Sequence, residues 1–531
     1  MSLTVSVAEI VATDPDPLLR IHPTWERVEL GEIAEVVNGF PFKSKRFNRD
    51  GEGMPLVRIR NVVDGSTETY TTEEYESRYR VRRGDLLVGM DGDFNSARWT
   101  GPDALLNQRV CKLIVDEDHY APRFLDFALP GYLNAIHRHT SSVTVKHLSS
   151  KSIRQIPLPV PPLAEQRRIV DALEAHFADL DAGVEALTRA RRDLDRYRRS
   201  VLKAAVEGAL TADWRTRQPE TEDASALLER ILEERRERWE AEQLRKYEAK
   251  GKTPPKNWRQ RYKPPAVPET DGLPELPEGW VWTSMDSVLV DIEAGKSFKC
   301  EERRPKGDEV GLVKVSAVSW GEYKEEESKT CLDPNRVNPD YFVRTGDFLF
   351  SRANTIDLVG ACVIARNVTR DIMLSDKILR LRLVGVIPEW ILFVLRSQHG
   401  RRQIESLATG NQDSMRNIGQ RRIRDIAVPL PPLAEQVAIV SSVDEKLSVA
   451  ETVADEIDRQ LARAERLRRS LLKRAFEGRL VPQDPSDEPA SALLTRIASG
   501  EETPGPPEFD DPDAVARQVE GKRVVQATFD F

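Results

Sequence analysis

A glycine followed by lysine and serine can cradle a phosphate, and Ala294-Gly295-Lys296-Ser297 follows an apolar run as such a loop does. The pattern needs a second glycine five positions before Gly295, but Val290 stands there, so the backbone cradle is missing. Asn338-Pro339-Asp340-Tyr341 falls one residue short of the catalytic tetrapeptide of adenine methyltransferases. Asp340 replaces its second proline, and no Gly-rich cofactor loop accompanies it. His119, His137, His139 and His147 crowd one region without metal-ligand spacing, which points to surface or local hydrogen-bonding roles. The patterns G-x-S-x-G and H-E-x-x-H and paired zinc-ligand spacings are absent. Cys111, Cys300, Cys331 and Cys362 are scattered, as expected of reduced thiols in a cytoplasmic chain and not of a disulfide or zinc framework. No catalytic group and no metal site is therefore expected.

The elements that would position any site come from a duplication. PPLAEQ stands at 161–166 and again at 431–436, 270 residues on. The same offset relates Ile153-Arg154-Gln155-Ile156 to Ile423-Arg424-Asp425-Ile426, and Glu207-Gly208 to Glu477-Gly478. One element of more than fifty residues was copied without insertion. Elsewhere the offset drifts: Trp25 aligns with Trp280, Arg83-Gly84-Asp85-Leu86 with Thr345-Gly346-Asp347-Phe348, and ASALL at 224–228 with 490–494. A constant element between divergent ones implies that each divergent part meets a different target.

Each PPLAEQ opens a helix, with prolines at its start and Glu165 or Glu435 in the first turn, where the positive end of the dipole favours an acid. Apolar or neutral residues recur at three- and four-residue steps, a coiled-coil seam. They are Ile169, Leu173, His176, Leu180, Val184, Leu187, Leu194, Val201 and Ala205 in the first copy. In the second they are Ile439, Val443, Leu447, Ala450, Val453, Ile457, Leu461, Ala464, Leu467, Leu471 and Ala475. Gly208 and Gly478 stand where C-caps belong. The nearest partner for each seam is its own copy, in antiparallel pairing. The arginine clusters at 189–203 and 459–474 read as solvated faces first and as phosphate contacts second.

The expected organisation is an N-terminal tail (1–23), a first head (24–160), a long helix (161–210), a charged helical and Pro-rich connector (211–275), a second head (276–430), a second long helix (431–480) and a partly disordered C-terminal segment (481–531). Short β-rich runs (55–60, 85–89, 311–315, 347–351, 379–383) and helix-like stretches (123–128, 389–396) mix within the heads. The fold class expected is α+β or α/β, as two tandem domains joined by two long antiparallel coiled-coil helices with pseudo-twofold internal duplication. No apolar run reaches the roughly 18–20 residues of a membrane span, and the N-terminus lacks the features of a signal peptide. The formal net charge of −8 does not advertise a nucleic-acid binder unless acid is concentrated away from the DNA.

With the repeat and the missing catalytic motifs in view, the chain resembles the specificity subunits of type I restriction–modification enzymes. IPLPVPPLAEQRRIV (156–170) and VPLPPLAEQVAIV (428–440) carry the resemblance, together with GDLLVGMDGDFNSARW (84–99), LLNQRVCKL (105–113) and GDFLFSR (346–352). It implies two target-recognition domains, each reading one half of a bipartite double-stranded DNA site, with the helices as a spacer. It also implies two methyltransferase subunits using S-adenosylmethionine to methylate an adenine in each half-site, and two restriction/motor subunits using ATP and Mg. No cofactor is expected on this chain itself, and no membrane partner.

Reading bases needs Arg, Lys, Asn and Gln presented to a groove. In the first head the candidates are Asn95, Ser96, Arg98, Trp99, Asn107, Gln108 and Arg109, with Lys43 and Lys45 as phosphate contacts. In the second they are Arg352, Asn354, Lys377, Asn411, Gln412, Ser414, Arg416 and Asn417, with Lys296 and Lys299 near the backbone. Two rival readings stay open at this point: a DNA methyltransferase or nuclease in its own right, and a coiled-coil scaffold without sequence preference.

Overall fold

A computed structural model describes residues 5–140, 146–218, 222–319, 321–412 and 415–499. The chain divides into two compact units, Met1–Ala186 with Gln460–Phe531, and Leu187–Arg459. Both mix helix and sheet.

In the first unit, Glu26–Glu29 pairs antiparallel with Pro157–Val160 just before the long helix begins. A four-stranded sheet follows the order Ala34–Asn38, Val110–Val115, Leu86–Gly89, Ser96–Arg98, every pair antiparallel. Leu86–Gly89 is buried along its whole length, which explains its unbroken apolar sequence. One face is covered by the helix Pro122–His139, whose buried Phe124, Leu125, Ala128, Leu129, Tyr132 and Leu133 recur at helical period. A second sheet, of five short strands, contains Met54–Val57 paired parallel with Ala104–Leu106.

The second unit repeats this strand order. Val281–Ser284 pairs with Ala427–Leu430, and a second antiparallel sheet runs Leu289–Ala294, Ile378–Leu383, Phe348–Ser351, Cys362–Ile364. Gly311–Val313 pairs parallel with Ile372–Met373. This unit also holds a hairpin, Thr409–Gln412 with Met415–Asn417, the latter also pairing with Ala353–Asn354.

The long helices span Leu163–Val206 and Leu433–Phe476, 44 residues each, or about 66 Å at the helical rise. In the first unit Ile169, Leu173 and Phe177 share a core with Leu471, Ala475 and Phe476. In the second, Val201, Ala205 and Val206 share one with Ile439 and Val443. The expected seam is corrected at three places. His176 is exposed and Phe177 buried, while Val453 and Leu467 are 44% and 48% exposed and Ala454 is buried. A straight α-helix drifts against a 3.5-residue repeat, so the buried stripe moves to the neighbouring position.

The expectations of an N-terminal tail and of an extended Pro-rich linker in the connector are corrected as well. Within the supposed N-terminal tail, Val7–Thr13 is a helix capped by Ser6 that buries Val7, Ile10 and Val11 in the first core. Arg138 anchors its end through Asp14, at 2.7 Å. The Pro-rich stretch after Ala224–Glu248 folds back, with Trp258 buried and stacked on Trp239 at a centroid distance of 6.0 Å. Aromatic surface outweighs the prolines there. The repeated ASALL acts alike in both places: Leu227 and Leu493 are buried, the first against Val384 and Leu430, the second in the core of the first unit. Residues 500–531, also expected to be a loose tail, lie outside the described residues.

Candidate nucleic-acid interface

Each head is tied to its long helix by the glutamate and glutamine of PPLAEQ, both buried in both copies. In the first unit the Trp25 indole donates to Glu165 at 3.1 Å, and the Gln483 amide donates to the same carboxylate. Gln166 accepts from the Ala121 backbone N–H at 2.8 Å and donates to the Pro161 carbonyl at 3.0 Å, which fixes the start of Pro122–His139. In the second unit the Trp280 indole donates to Glu435 at 2.8 Å, the Thr211 hydroxyl donates at 2.6 Å, and Arg215 forms an ion pair with it. Gln436 accepts from Ile387 and donates to Pro431, both at 3.0 Å. A helix-dipole role for these acids was the sequence expectation; their burial as acceptors was missed. The sign of it was the Trp25–Trp280 match, which is the donor to each.

The two glutamates differ in their cation. The nearby Arg168 is paired with Asp487 at 2.7 Å, and burial raises the Glu165 carboxyl above its ordinary value of 4.5. A folded state that holds this proton more tightly than the unfolded chain loses stability as pH rises from 4.5 through the raised value. Glu165→Gln keeps an acceptor for the indole and removes the titration. Its urea midpoint relative to the parent is expected to rise with pH across that window. A midpoint difference independent of pH contradicts the assignment.

In the second head the same end of the main sheet gathers most of the candidate set. Ala294 ends one strand there, Ser351 ends another and Ile378 begins a third. The Arg352 N–H donates to the Lys377 carbonyl at 2.9 Å, and the Arg352 guanidinium to the Asn417 side chain at 3.3 Å. Asn354 lies opposite Arg416, and Gln412 opposite Met415, in the hairpin, whose strand Thr409–Gln412 also carries Asn411. Lys296 and Lys299 are exposed on the loop after Ala294, and Ser297 donates to Asp376, which brings the start of that loop near Lys377. Gly295 is required there: a Cβ would sit 1.8 Å from the Leu374 carbonyl oxygen. That close approach accounts for the glycine that looked like the end of a phosphate loop. Ser414 lies outside the described residues.

The equivalent end of the first head gathers a smaller set. Gly39 plays the part of Gly295, its Cβ position lying 2.0 Å from the Asn107 carbonyl oxygen. The loop after it carries exposed Lys43 and Lys45 and bonds to the Asn107–Arg109 turn, since Gln108 N–H donates to the Phe40 carbonyl at 2.9 Å. Gln108 and Arg109 are exposed. Arg109 corresponds to Lys377: each directly precedes its strand, and the Met90 N–H donates to the Arg109 carbonyl as Arg352 does to Lys377, again at 2.9 Å. Arg109 adopts φ 73°, with its guanidinium 3.1 Å from His147 and 3.5 Å from Asp91. Asp91 carries no sequence signal of this contact, and His147 stands among the histidines expected only in surface or local hydrogen-bonding roles.

The set Asn95, Ser96, Arg98 and Trp99 does not act together. Asn95 and Ser96 sit near this end, with the Asn95 carbonyl accepting from Gly89 at 2.8 Å. Arg98 lies at the far end of its short strand and is held by Asp126 at 2.6 Å and by the Gly84 carbonyl. Trp99 is wholly buried, its indole donating to the Pro102 carbonyl at 2.7 Å, so it belongs to the core and not to a groove-reading surface. Asn107 is only 7% exposed, which leaves Gln108 and Arg109 as the presented part of that turn. The Gly-Asp pairs form turns: Gly84 and Gly346 have φ 95° and 93°, and Asp85 and Asp347 accept from the N–H of Arg82 and Arg344 at 2.8 and 2.7 Å. On the helices, Arg459 pairs with Glu456 at 2.7 Å and Arg191 with Asp458 at 3.3 Å, as faces balanced by acid. Among the described residues no cluster of His, Cys, Asp or Glu could hold a metal ion, and no helix is long and apolar enough to cross a membrane.

Comparison with known proteins gives the family. Residues 23–187 match the family described as type I restriction modification DNA specificity domain. The chain is 30% identical to the type I restriction enzyme EcoBI specificity subunit of Escherichia coli, over 94% of this chain and 96% of that protein. It is 26% identical to the EcoEI specificity subunit of Escherichia coli, over 83% and 82% respectively. A chain from a structural study of complex assembly and conformational transition in the type I R-M system shares the fold, with a TM-score of 0.56 at 18% identity, covering 87% of this chain and 99% of that one. Identity of this extent along nearly the whole of both sequences places the chain in the family of type I restriction enzyme specificity subunits.

Proposed function

We propose that this chain reads a bipartite DNA sequence on behalf of methyltransferase and restriction subunits and performs no chemistry itself. The observation that carries the reading is the recurrence, in each unit, of one strand-end platform with different side chains on it. The first presents Lys43, Lys45, Gln108 and Arg109, the second Lys296, Lys299, Arg352, Lys377 and Asn417. Side chains of these types discriminate base edges and hold phosphates. The two heads read one half-site each, while the long helices pair antiparallel as a coiled coil and set the distance between half-sites. The Asp181–Arg468 pair within one unit and the Arg191–Asp458 pair within the other support that pairing. Two methyltransferase and two restriction/motor subunits complete the complex in the cytoplasm, and S-adenosylmethionine, ATP and Mg belong to them.

Two substitutions in the assembled complex test the division of contacts. Lys296→Ala is expected to weaken all duplexes evenly and to lower the salt slope of binding by about 1. Asn417→Ala is expected to cost about 1–3 kcal/mol on the cognate site alone and to relax one half-site. Binding to randomised duplexes measures both. Even weakening by Asn417→Ala, or half-site relaxation by Lys296→Ala, contradicts the assignment.

A further inference from the structure

The segment carrying Lys296 and Lys299 runs on into a short antiparallel contact that sets two thiols opposite each other. Glu301 and Thr330 exchange both backbone hydrogen bonds, each at 3.0 Å, and form an antiparallel bridge. The positions on either side of such a pair are non-hydrogen-bonded pairs, whose Cα atoms lie about 4.5 Å apart with side chains on one face. On one side the pair is Glu302 with Lys329, joined by an ion pair that confirms the register. On the other side it is Cys300 with Cys331. The Cys331 N–H turns away to the Val310 carbonyl at 2.9 Å, as a non-hydrogen-bonded position requires, and both cysteines belong to one apolar cluster with Leu312 and Phe342. The expected Cα separation falls at the lower edge of the roughly 4.4–6.8 Å range that disulfides span. Both thiols are free in this structure.

We propose that Cys300 and Cys331 are an oxidisable dithiol that closes into a cross-strand disulfide and staples the Lys296–Lys299 segment to the strand Ser328–Thr330. Cys300 is partly exposed and Cys331 8% exposed, so a small disulfide such as oxidised glutathione meets Cys300 first. The Cys300 thiolate attacks it, releasing one glutathione thiolate and leaving a mixed disulfide. The Cys331 thiolate then displaces the second glutathione, so the protein loses two hydrogens and the oxidant is reduced to two thiols. Cys111 and Cys362 are wholly buried and do not compete. Burial, and then the neighbouring Cys331, holds the Cys300 thiol above its ordinary value, so closure is faster in mildly alkaline buffer. The first head has no matching pair, which makes the effect specific to the second. Closure constrains the unfolded chain across the loop between the two positions and stabilises the folded head.

The full chain treated with oxidised glutathione, acid-quenched and digested without reduction is expected to yield a Cys300–Cys331 linked peptide pair as the main oxidised species. The urea midpoint of the second unit is expected to rise and to return to its starting value with dithiothreitol. Cys300→Ser and Cys331→Ser each abolish the link and keep the reduced parent's midpoint, which shows that they fold. A stable glutathione adduct on Cys300 with Cys331 still a thiol, or links only between molecules, would overturn the proposal. This outcome does not depend on DNA binding.

Discussion

Glu435→Ala is expected to destabilise the second unit by about 3–5 kcal/mol, the cost of leaving a partly buried arginine and an indole N–H without their acceptor. Glu435 is 1% exposed and receives Trp280, Thr211 and Arg215 at once. The Arg215 guanidinium also lies 5.8 Å from the Trp280 ring and donates to the Gly208 carbonyl at 2.7 Å, so its loss loosens the end of the first long helix and the start of the second head together. Glu435→Gln is expected to cost less, since it keeps an acceptor but not the charge that Arg215 needs. Urea unfolding followed by hydrogen exchange in each unit measures the change and separates the two. A loss below about 1 kcal/mol for Glu435→Ala would mean that this junction is a surface-like contact. The first copy makes the comparison sharp, because Glu165 has no ion-paired arginine and its replacement by glutamine is expected to be nearly neutral at pH 4.5 and favourable above it.

The largest functional effect is expected from exchanging the first head. Replacing residues 24–160 with the corresponding head of a relative is expected to change one half-site completely and leave the other intact. Affinity for the original site should fall toward the non-specific level, a drop of roughly 10³–10⁷-fold at fixed salt. Inserting residues into one long helix is expected to do the reverse, altering the number of bases tolerated between half-sites while both half-sites stay the same. Enrichment from randomised duplexes reads both outcomes. Changes in both half-sites after a single head exchange would mean that the heads do not read independently.

Much of this account was legible in the residues themselves. The unbroken offset between the PPLAEQ copies located both long helices, because a helix that must keep its length tolerates no insertion. The buried strands Leu86–Gly89 and Phe348–Ser351 showed as continuous apolar runs. What stayed hidden depends on distances between residues far apart in sequence. Asn95 and Trp99 are four positions apart, yet a three-residue strand carries them to different ends of the sheet. Gly39 and Gly295 look like ordinary loop glycines until a neighbouring carbonyl oxygen is found where a Cβ would stand. The N-terminal helix Val7–Thr13 is too short for periodicity to reveal, and it is held by apolar contacts with Pro122–His139 and by the Asp14–Arg138 ion pair. Cys300 and Cys331 have no telling spacing, since antiparallel pairing and not sequence brings them opposite.

The chemistry that the two copies share is the hydrogen bonding of Glu165, Gln166, Glu435 and Gln436, which ties each head to its own long helix. The most direct measurement is a genome-wide map of methylated adenine in cells with and without this gene. Methylation confined to two short sequences at one fixed spacing, lost when the gene is removed, is the result predicted. Methylation of single short motifs without a partner at fixed distance, or a map unchanged by removal, would contradict it.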